Sequence, residues 1–572
     1  MLFILVLFGW LFLTFPNQIA AIDEFQLNRD VIYKVDLTGK AQVEEKIVLT
    51  NNISQIYPTE YQINLVGSEI TAITAADQEG NIIKDINQEK DSTQIKLQFN
   101  VQNIGKGKTT PINLHYSINK FAENKGNIWE ISLPQYQNIG DNDQLTILIQ
   151  VPTQFGKLAF SSLGQSVLTP TANYYQLRLN QNQVKNKNHL FIFGNYQLFD
   201  FTLQYLLDNQ KGEATLTQIA LPPALDSQKI IFKTIEPPPA NINIDPDGNW
   251  LAEYNLKPGE NLIVTAAGQA KIMGARSTGS TDDKLLSASQ FWPVDNQLIN
   301  QIAANLNTPQ DIYNYVIKTL SYNFDGLNQT TRRQGALQAL AEPNQALCLE
   351  FTDLFITLAR AKGIPAREIE GFAYTNNPKL KPIGLNATIL HAWPQYYDNY
   401  QQTWIAIDPT WGKTTGGIDY FHDLDLNHFI LVIHGRDSLY PPPPDRVEVA
   451  FASQEIFPDL KAPLITADRS HLIITNPNPN PLFQINLISP TLEWKNTINF
   501  IGPYGKTSIN LPKMSFIDSL RRHNQTIDIF YENQKYSLKY LPHYQNLALT
   551  VTAAIVLLCL CGIMITRHEK IS

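Results

Sequence analysis

The sequence predicts a multidomain chain with an N-terminal antiparallel β-sandwich region, an α+β core, a second small β-sandwich and one C-terminal transmembrane helix. Three observations predict it. Apolar residues recur with a period of two through much of 22–222 and 447–541, but with a helical period between about 290 and 365. Two proline clusters, EPPPAN at 236–241 and PPPP at 441–444, break the chain between these regimes. The uncharged run LALTVTAAIVLLCLCGIMI at 547–565 is long enough to span a bilayer, which takes about 20 apolar residues.

The length of 572 residues exceeds what one core can hold, and at roughly 150 residues per domain it suggests three or four. A net charge of -8 argues against a nucleic-acid surface or an anionic-lipid surface, both of which need a basic footprint. The opening MLFILVLFGWLFLTFPNQIAA is an apolar run followed by small residues, so 1–21 reads as a signal peptide or an N-terminal anchor. Arg567 and Lys570 follow the second apolar run and favour the cytoplasmic side. The expected topology is therefore a single-pass protein with an extracytoplasmic ectodomain at 22–545 and a short cytoplasmic tail at 566–572.

Along the chain, Val31, Tyr33 and Val35 alternate before a Thr38-Gly39 turn, and Val43, Ile47 and Leu49 resume the period. Ile95 to Val101 and Leu145 to Val151 repeat it, which places one or two sandwich domains in 22–222. A β-rich connecting segment follows at 223–289. Within it NIDPDGNWLAEY, at 243–254, resembles a calcium loop but has Tyr254 where a bidentate glutamate is required, so it reads as a hairpin turn. From 290 to 440 helices come first. Leu298, Ile299, Ile302 and Leu306 mark one, and Thr308-Pro309-Gln310-Asp311 is a capping box for the next. Strands follow at 367–375, 389–397 and 403–411, the last two joined by Asp398-Asn399. A proline linker at 441–446 leads to the small sandwich at 447–541.

Cysteine use narrows the chemistry. Cys559 and Cys561 lie inside the apolar run, which leaves Cys348 as the one thiol of a long ectodomain. An unpaired thiol outside the cytoplasm is exposed to oxidation unless it is buried, dimerised or used. Leu347, Phe351, Leu354, Phe355 and Leu358 mark a helix face, with Asn344 as a candidate cap and Gly363 as its stop. Cys348 then sits in the first turn, where N–H groups and the helix dipole stabilise a thiolate or an oxyanion. Most free cysteines are small buried hydrophobes. What distinguishes this one is its partners: His391 early in one strand and Asp408 at the end of the next, in a hairpin that can bring them side by side. Nucleophile, base and orienting acid form the set required for nucleophilic catalysis.

ALCLEFTDLFITLARAKGIPAREIEGFAY resembles the nucleophile helix of the transglutaminase-like superfamily, which is papain-like in fold, and HAWPQYY with WIAIDPTW resembles its His and Asp motifs. The resemblance covers about 290–440 and implies Cys348 as nucleophile, His391 as base and acid, and Asp408 as orienter. It implies acyl transfer on protein or peptide amides of the cell envelope, with hydrolysis or cross-linking decided by the acceptor. No cofactor or metal is expected. Ala346 stands where the family often has glycine, and Pro394-Gln395 departs from its usual strand, both near the substrate groove. Tyr322 is the upstream candidate for a second oxyanion donor. The alternative is a transglutaminase-like scaffold or binding module without catalysis. FHDLDLNHF at 421–429 gathers His422, Asp423, Asp425 and His428, but no metal-binding helix motif supports an ion there.

Overall fold

The computed structural model describes residues 24–66, 69–89, 92–133, 136, 139–140, 142–163, 168–328, 332–375, 381–382, 391–457, 461–468, 470–490, 493–511, 525–531 and 534–540. The expected leader at 1–21 and the expected span at 547–565 lie outside these residues. Among the described residues no helix is long and apolar enough to cross a membrane. The chain divides into two compact units.

The first unit comprises Met1–Ala122, Pro134–Gln154 and Val167–Asn186. Strands Phe25–Val35 and Ala41–Asn51 pair antiparallel around a turn at Gly39, whose φ of 86° suits a residue without a side chain. The period of two buries Val31, Tyr33, Val35, Val43 and Ile47 on one face. One pairing departs from the expected antiparallel pattern, because Phe25–Val35 runs parallel to Gln144–Pro152. The long intervening chain permits this, since only a tight hairpin forces strands to reverse.

The second unit comprises Glu123–Leu133, Phe155–Ser166 and Lys187–Ser572. Its first sandwich packs a sheet ordered Gln228–Glu236, Asn261–Ile272, Gln197–Asp208 and Arg446–Phe451 with a smaller sheet of Thr215–Leu221, Trp250–Leu256 and Asn241–Ile244. Phe199, Phe201, Phe232, Trp250 and Leu251 fill the space between them. Gly268 lies at the crossing, where an added Cβ would strike the Ile231 carbonyl and the Phe201 ring. The boundary read at residue 222 therefore falls inside one sandwich, and the strand after the proline linker returns to its edge. Proline interrupts a ladder locally, but the pairing of Gln197–Asp208 with Arg446–Phe451 is long-range and leaves no periodic trace. Asn243–Tyr254 forms the expected hairpin, with Gly248 at φ 99° in the turn.

Between Ile272 and Arg446 lies the α+β core. Helices Gln297–Ala304, Pro309–Thr319, Gly335–Ala341 and Cys348–Ala361 precede all but the first strand of an antiparallel sheet ordered Ser277–Thr278, Thr403–Ala406, His391–Asp398, Ala366–Ala373 and His428–His434. Thr308 and Asp311 make the expected reciprocal cap. Helix Cys348–Ala361 is buried on nearly every face: Phe351, Leu354, Phe355 and Leu358 pack among Ile299, Ile312, Val316, Tyr396 and Ile405. Each such side chain contributes roughly 1.5–3 kcal/mol of burial, so the helix is held as a rigid post. It ends at Gly363, with φ 79°, and the Ile364 N–H returns to the Ala359 carbonyl.

The last strands, from Leu464–Ala467 to Gln534–Tyr540, form two small sheets around Leu472, Ile474, Leu482, Ile485 and Ile527. In NPNPNP, the buried Asn480 amide bonds the Phe232 backbone on both sides, replacing a ladder that proline prevents.

Candidate functional site

Cys348 is the first residue of its helix, and the cap is not Asn344. Leu347 holds the cap position with extended backbone, and the Glu350 carboxylate accepts the N–H groups of Leu347 and Gln334, each at 2.9 Å. Asn344 lies too early for the register; a buried acid two residues after the nucleophile does its work. Burial pushes the Glu350 carboxyl up, against the pull of those two N–H groups.

The Cys348 side chain is 0% exposed. Burial raises its pKa most, an N–H from Ala392 works in the opposite direction, and the carboxylates of Glu350, Asp408 and Glu370 raise it further. The resting thiol is therefore protonated. Ala392 is the neighbour of His391 in strand His391–Asp398, so the thiol lies at the start of the histidine strand.

His391 and Asp408 meet directly, with Nε2 at 2.7 Å from Oδ2. The other imidazole nitrogen, Nδ1, is buried and has no hydrogen-bond partner, so the thiol and the ring are not bonded in this state. Trp411 stacks on the His391 ring at 4.9 Å between centroids and 18° between planes, fixing its orientation.

Asp408 does not end a strand. It caps the short helix Pro409–Thr414, with Oδ1 accepting the Trp411 N–H at 3.0 Å. One carboxylate oxygen thus organises the backbone and the other the imidazole. Burial raises the pKa of this carboxyl, but His391 and His428 outweigh it and hold it down to about 2.

Sequence reasoning offered the 421–429 cluster only as a weak metal motif, and the structure gives it another place. His428 opens strand His428–His434, and its Nδ1 lies 2.8 Å from Asp425 Oδ1. Its Nε2 faces Asp408 Oδ2 at 3.6 Å. Lys381 and the Tyr420 hydroxyl complete the surroundings of Asp425, at 3.4 and 3.1 Å. His391, Asp408 and His428 bring ligand-type atoms within 4.8 Å of one another. A metal would need both imidazoles neutral. Burial opposes charge on His428, but Asp425 and Asp408 raise its pKa to about 9, so a metal would have to displace a firmly held proton there. His422 bonds Asp419 instead and stays outside this network.

Tyr322 is placed beside the nucleophile turn. It bridges to Ala346, with Ser321 N–H on the Pro343 carbonyl and Asn323 N–H on the Ala346 carbonyl. Its hydroxyl is buried with no hydrogen-bond partner. Burial, and then the electrostatic influence of Cys348, raise its pKa.

A second buried network supports the helix from behind. Arg333 pairs with Asp353 of the nucleophile helix and Glu368 of the adjacent strand. Arg360 donates to the carbonyls of Ala366, Ser287 and Gly435, tying the helix to the sheet it packs against. Glu368, Glu370 and His434 are also within ligand distance of one another, but this set too is engaged by charge: Glu368 accepts from Arg333, and His434 bonds the Pro441 carbonyl.

A cysteine thus opens a buried helix at the start of the strand that carries a histidine bonded to an aspartate. Residues 294–409 match the Transglutaminase-like superfamily, and this stretch is a domain of that superfamily. The match ends one residue after Asp408, so His428 and Asp425 lie beyond it. No curated protein matches the chain. Among solved structures, a proposed cysteine protease of Cytophaga hutchinsonii is 16% identical, covers 46% of this chain and 94% of its own, and has a TM-score of 0.33. The periplasmic domain of TgpA from Pseudomonas aeruginosa is 15% identical, with 39% and 91% covered and a TM-score of 0.23.

Proposed function

We propose that this protein is a membrane-anchored, extracytoplasmic cysteine enzyme that transfers acyl groups from protein or peptide amides of the cell envelope. The observation that carries this reading is the His391–Asp408 bond through Nε2 at 2.7 Å, which leaves Nδ1 as the nitrogen free to take the proton of Cys348. The apolar runs at 1–21 and 547–565 support the placement.

In this mechanism the thiol proton moves to His391 Nδ1 and the sulfur attacks the amide carbon. The carbonyl oxygen becomes an oxyanion, held by the first N–H groups of helix Cys348–Ala361 and by the Tyr322 hydroxyl. Collapse breaks the C–N bond, and His391 returns the proton to the leaving amine. The thioester then passes its acyl group to water or to a second amine, with His391 acting as base again.

The complete burial of Cys348 and its missing bond to His391 favour a second reading, a transglutaminase-like scaffold without catalysis. Full-length wild type and Cys348→Ala are compared for cleavage of a fluorescent casein and for incorporation of a fluorescent alkylamine into it. Loss of either activity in the variant supports the enzyme. Equal behaviour in both assays, with Cys348 alkylated by iodoacetamide only at the free-thiol pKa of about 8.5, supports the scaffold.

A further inference from the structure

We propose that His428, clamped by Asp425 and facing the carboxylate of Asp408, is a positioning residue that sets the pH range over which Cys348 gives its proton to His391. The inference rests on the triad reading above.

The geometry is that of a counter-charge behind the dyad. His428 is gripped through Nδ1 at 2.8 Å, so its Nε2 is aimed at Asp408 Oδ2, the same oxygen that binds His391. Among the described residues, the groups that face it come from several elements, and Ala373 of strand Ala366–Ala373 pairs with it in the sheet. Asp425 comes from its own loop, Asp408 from the turn before the short helix, and His391 from the strand on the far side of Ala366–Ala373, at 6.0 Å between ring centroids. The rings of Trp393, Trp411 and Tyr420 lie against it at 5.0, 4.7 and 6.4 Å between centroids. Lys381 and the Tyr420 hydroxyl reach it only through Asp425.

With His428 and Lys381 charged against Asp408 and Asp425, the buried group of four is neutral. A proton arriving on His391 would therefore add a third positive charge to that group. Part of the attraction that Asp408 offers the imidazolium is spent on His428, so the neutral thiol–imidazole pair is favoured at rest. This agrees with the protonated thiol and the unmade bond at Nδ1.

The test is iodoacetamide alkylation of Cys348 across pH in the full-length protein, read by peptide mass spectrometry to separate it from Cys559 and Cys561. His428→Gln removes the counter-charge, so the alkylation midpoint should fall by about one to two pH units, the size expected for charges about 6 Å apart at an effective dielectric near 20. Asp425→Asn weakens the grip on the same charge and should move the midpoint in the same direction by less. It carries the test alone if His428→Gln does not fold. An unchanged or raised midpoint in a folded variant overturns the inference. His391→Gln separates it from the parent reading. If His391→Gln alters the profile while both His428→Gln and Asp425→Asn leave it alone, only the role of His428 fails. If the profile of His391→Gln equals that of wild type, the triad reading fails and this inference falls with it.

Discussion

Replacement of Asp408 separates its structural work from its chemical work. The carboxylate meets His391 Nε2 at 2.7 Å, the Trp411 N–H at 3.0 Å and the His428 ring at 3.6 Å, all buried. In Asp408→Ala the cap is lost, at about 1 kcal/mol, and His428 keeps Asp425 as its one carboxylate partner. That change mixes a loss of stability with a loss of chemistry. Asp408→Asn is the informative variant. Its amide oxygen can still cap Trp411, while its NH₂ faces His391 Nε2 and forces that nitrogen to accept. The ring proton then sits on Nδ1, where the thiol proton should go. Acyl transfer should fall by roughly 10³–10⁴-fold with the fold intact, and the alkylation midpoint of Cys348 should rise, because the ring can no longer take its proton. Circular dichroism and thermal unfolding verify the fold, and the two acyl-transfer assays read the chemistry. A folded Asp408→Asn protein with wild-type turnover and an unmoved alkylation profile would refute the orienting role.

Three more outcomes are expected. Tyr322→Phe removes a hydroxyl buried next to the nucleophile turn without changing ring packing, so kcat should drop by roughly 10²–10³-fold while KM holds; a change in KM alone would assign the residue to binding. Gly371 pairs with His391 across the sheet, and an added Cβ would overlap the Phe429 carbonyl and the Trp393 ring. Gly371→Ala should therefore cost about 1–3 kcal/mol and lower Tm together with turnover, and a variant with wild-type Tm would show that the strands give way easily. Burial opposes charge on His428 and His434, but their carboxylate partners raise both to about 9. A histidine whose folded pKa exceeds its unfolded value stabilises fully below about 6.5 and loses that stabilisation as pH rises through the folded value. Tm should accordingly be lower at about pH 9.5 than at about pH 6.5; an unchanged or higher Tm would mean that neither ring is held cationic.

How much of this was legible in the sequence depended on range. Helix Cys348–Ala361, its stop at Gly363 and the Thr308 cap are written in residues a few positions apart, and periodicity reads those. His391 and Asp408 were found because the family motif preserves their order, and one hairpin brings them to a common edge. Asp408 as a helix cap was missed because Asp-Pro reads equally as a turn or as a first helical step. Glu350 was missed because a capping acid is visible only once the first residue of the helix is known. The cluster at 421–429 was seen, but as a ligand set. Its meaning lay in Asp408, which is distant in the chain and adjacent in space. The sandwich edges failed for the same reason, since Gln197–Asp208 chooses its partners from residues far downstream.

That last pairing has a mechanical consequence. The strand entering the core, Asn261–Ile272, and the strand leaving it, Arg446–Phe451, lie on opposite sides of Gln197–Asp208, and both run antiparallel to it. They leave and rejoin the sheet at opposite ends, because Ile272 is level with Gln197 whereas Arg446 is level with Gln204. A body fastened at two separated points cannot swing as a pendant on one hinge. Torque on the core is resisted by the hydrogen-bonded ladder on either side of a single central strand. The core is therefore braced against that sheet, and whatever opening uncovers Cys348 must come from movement within the core itself.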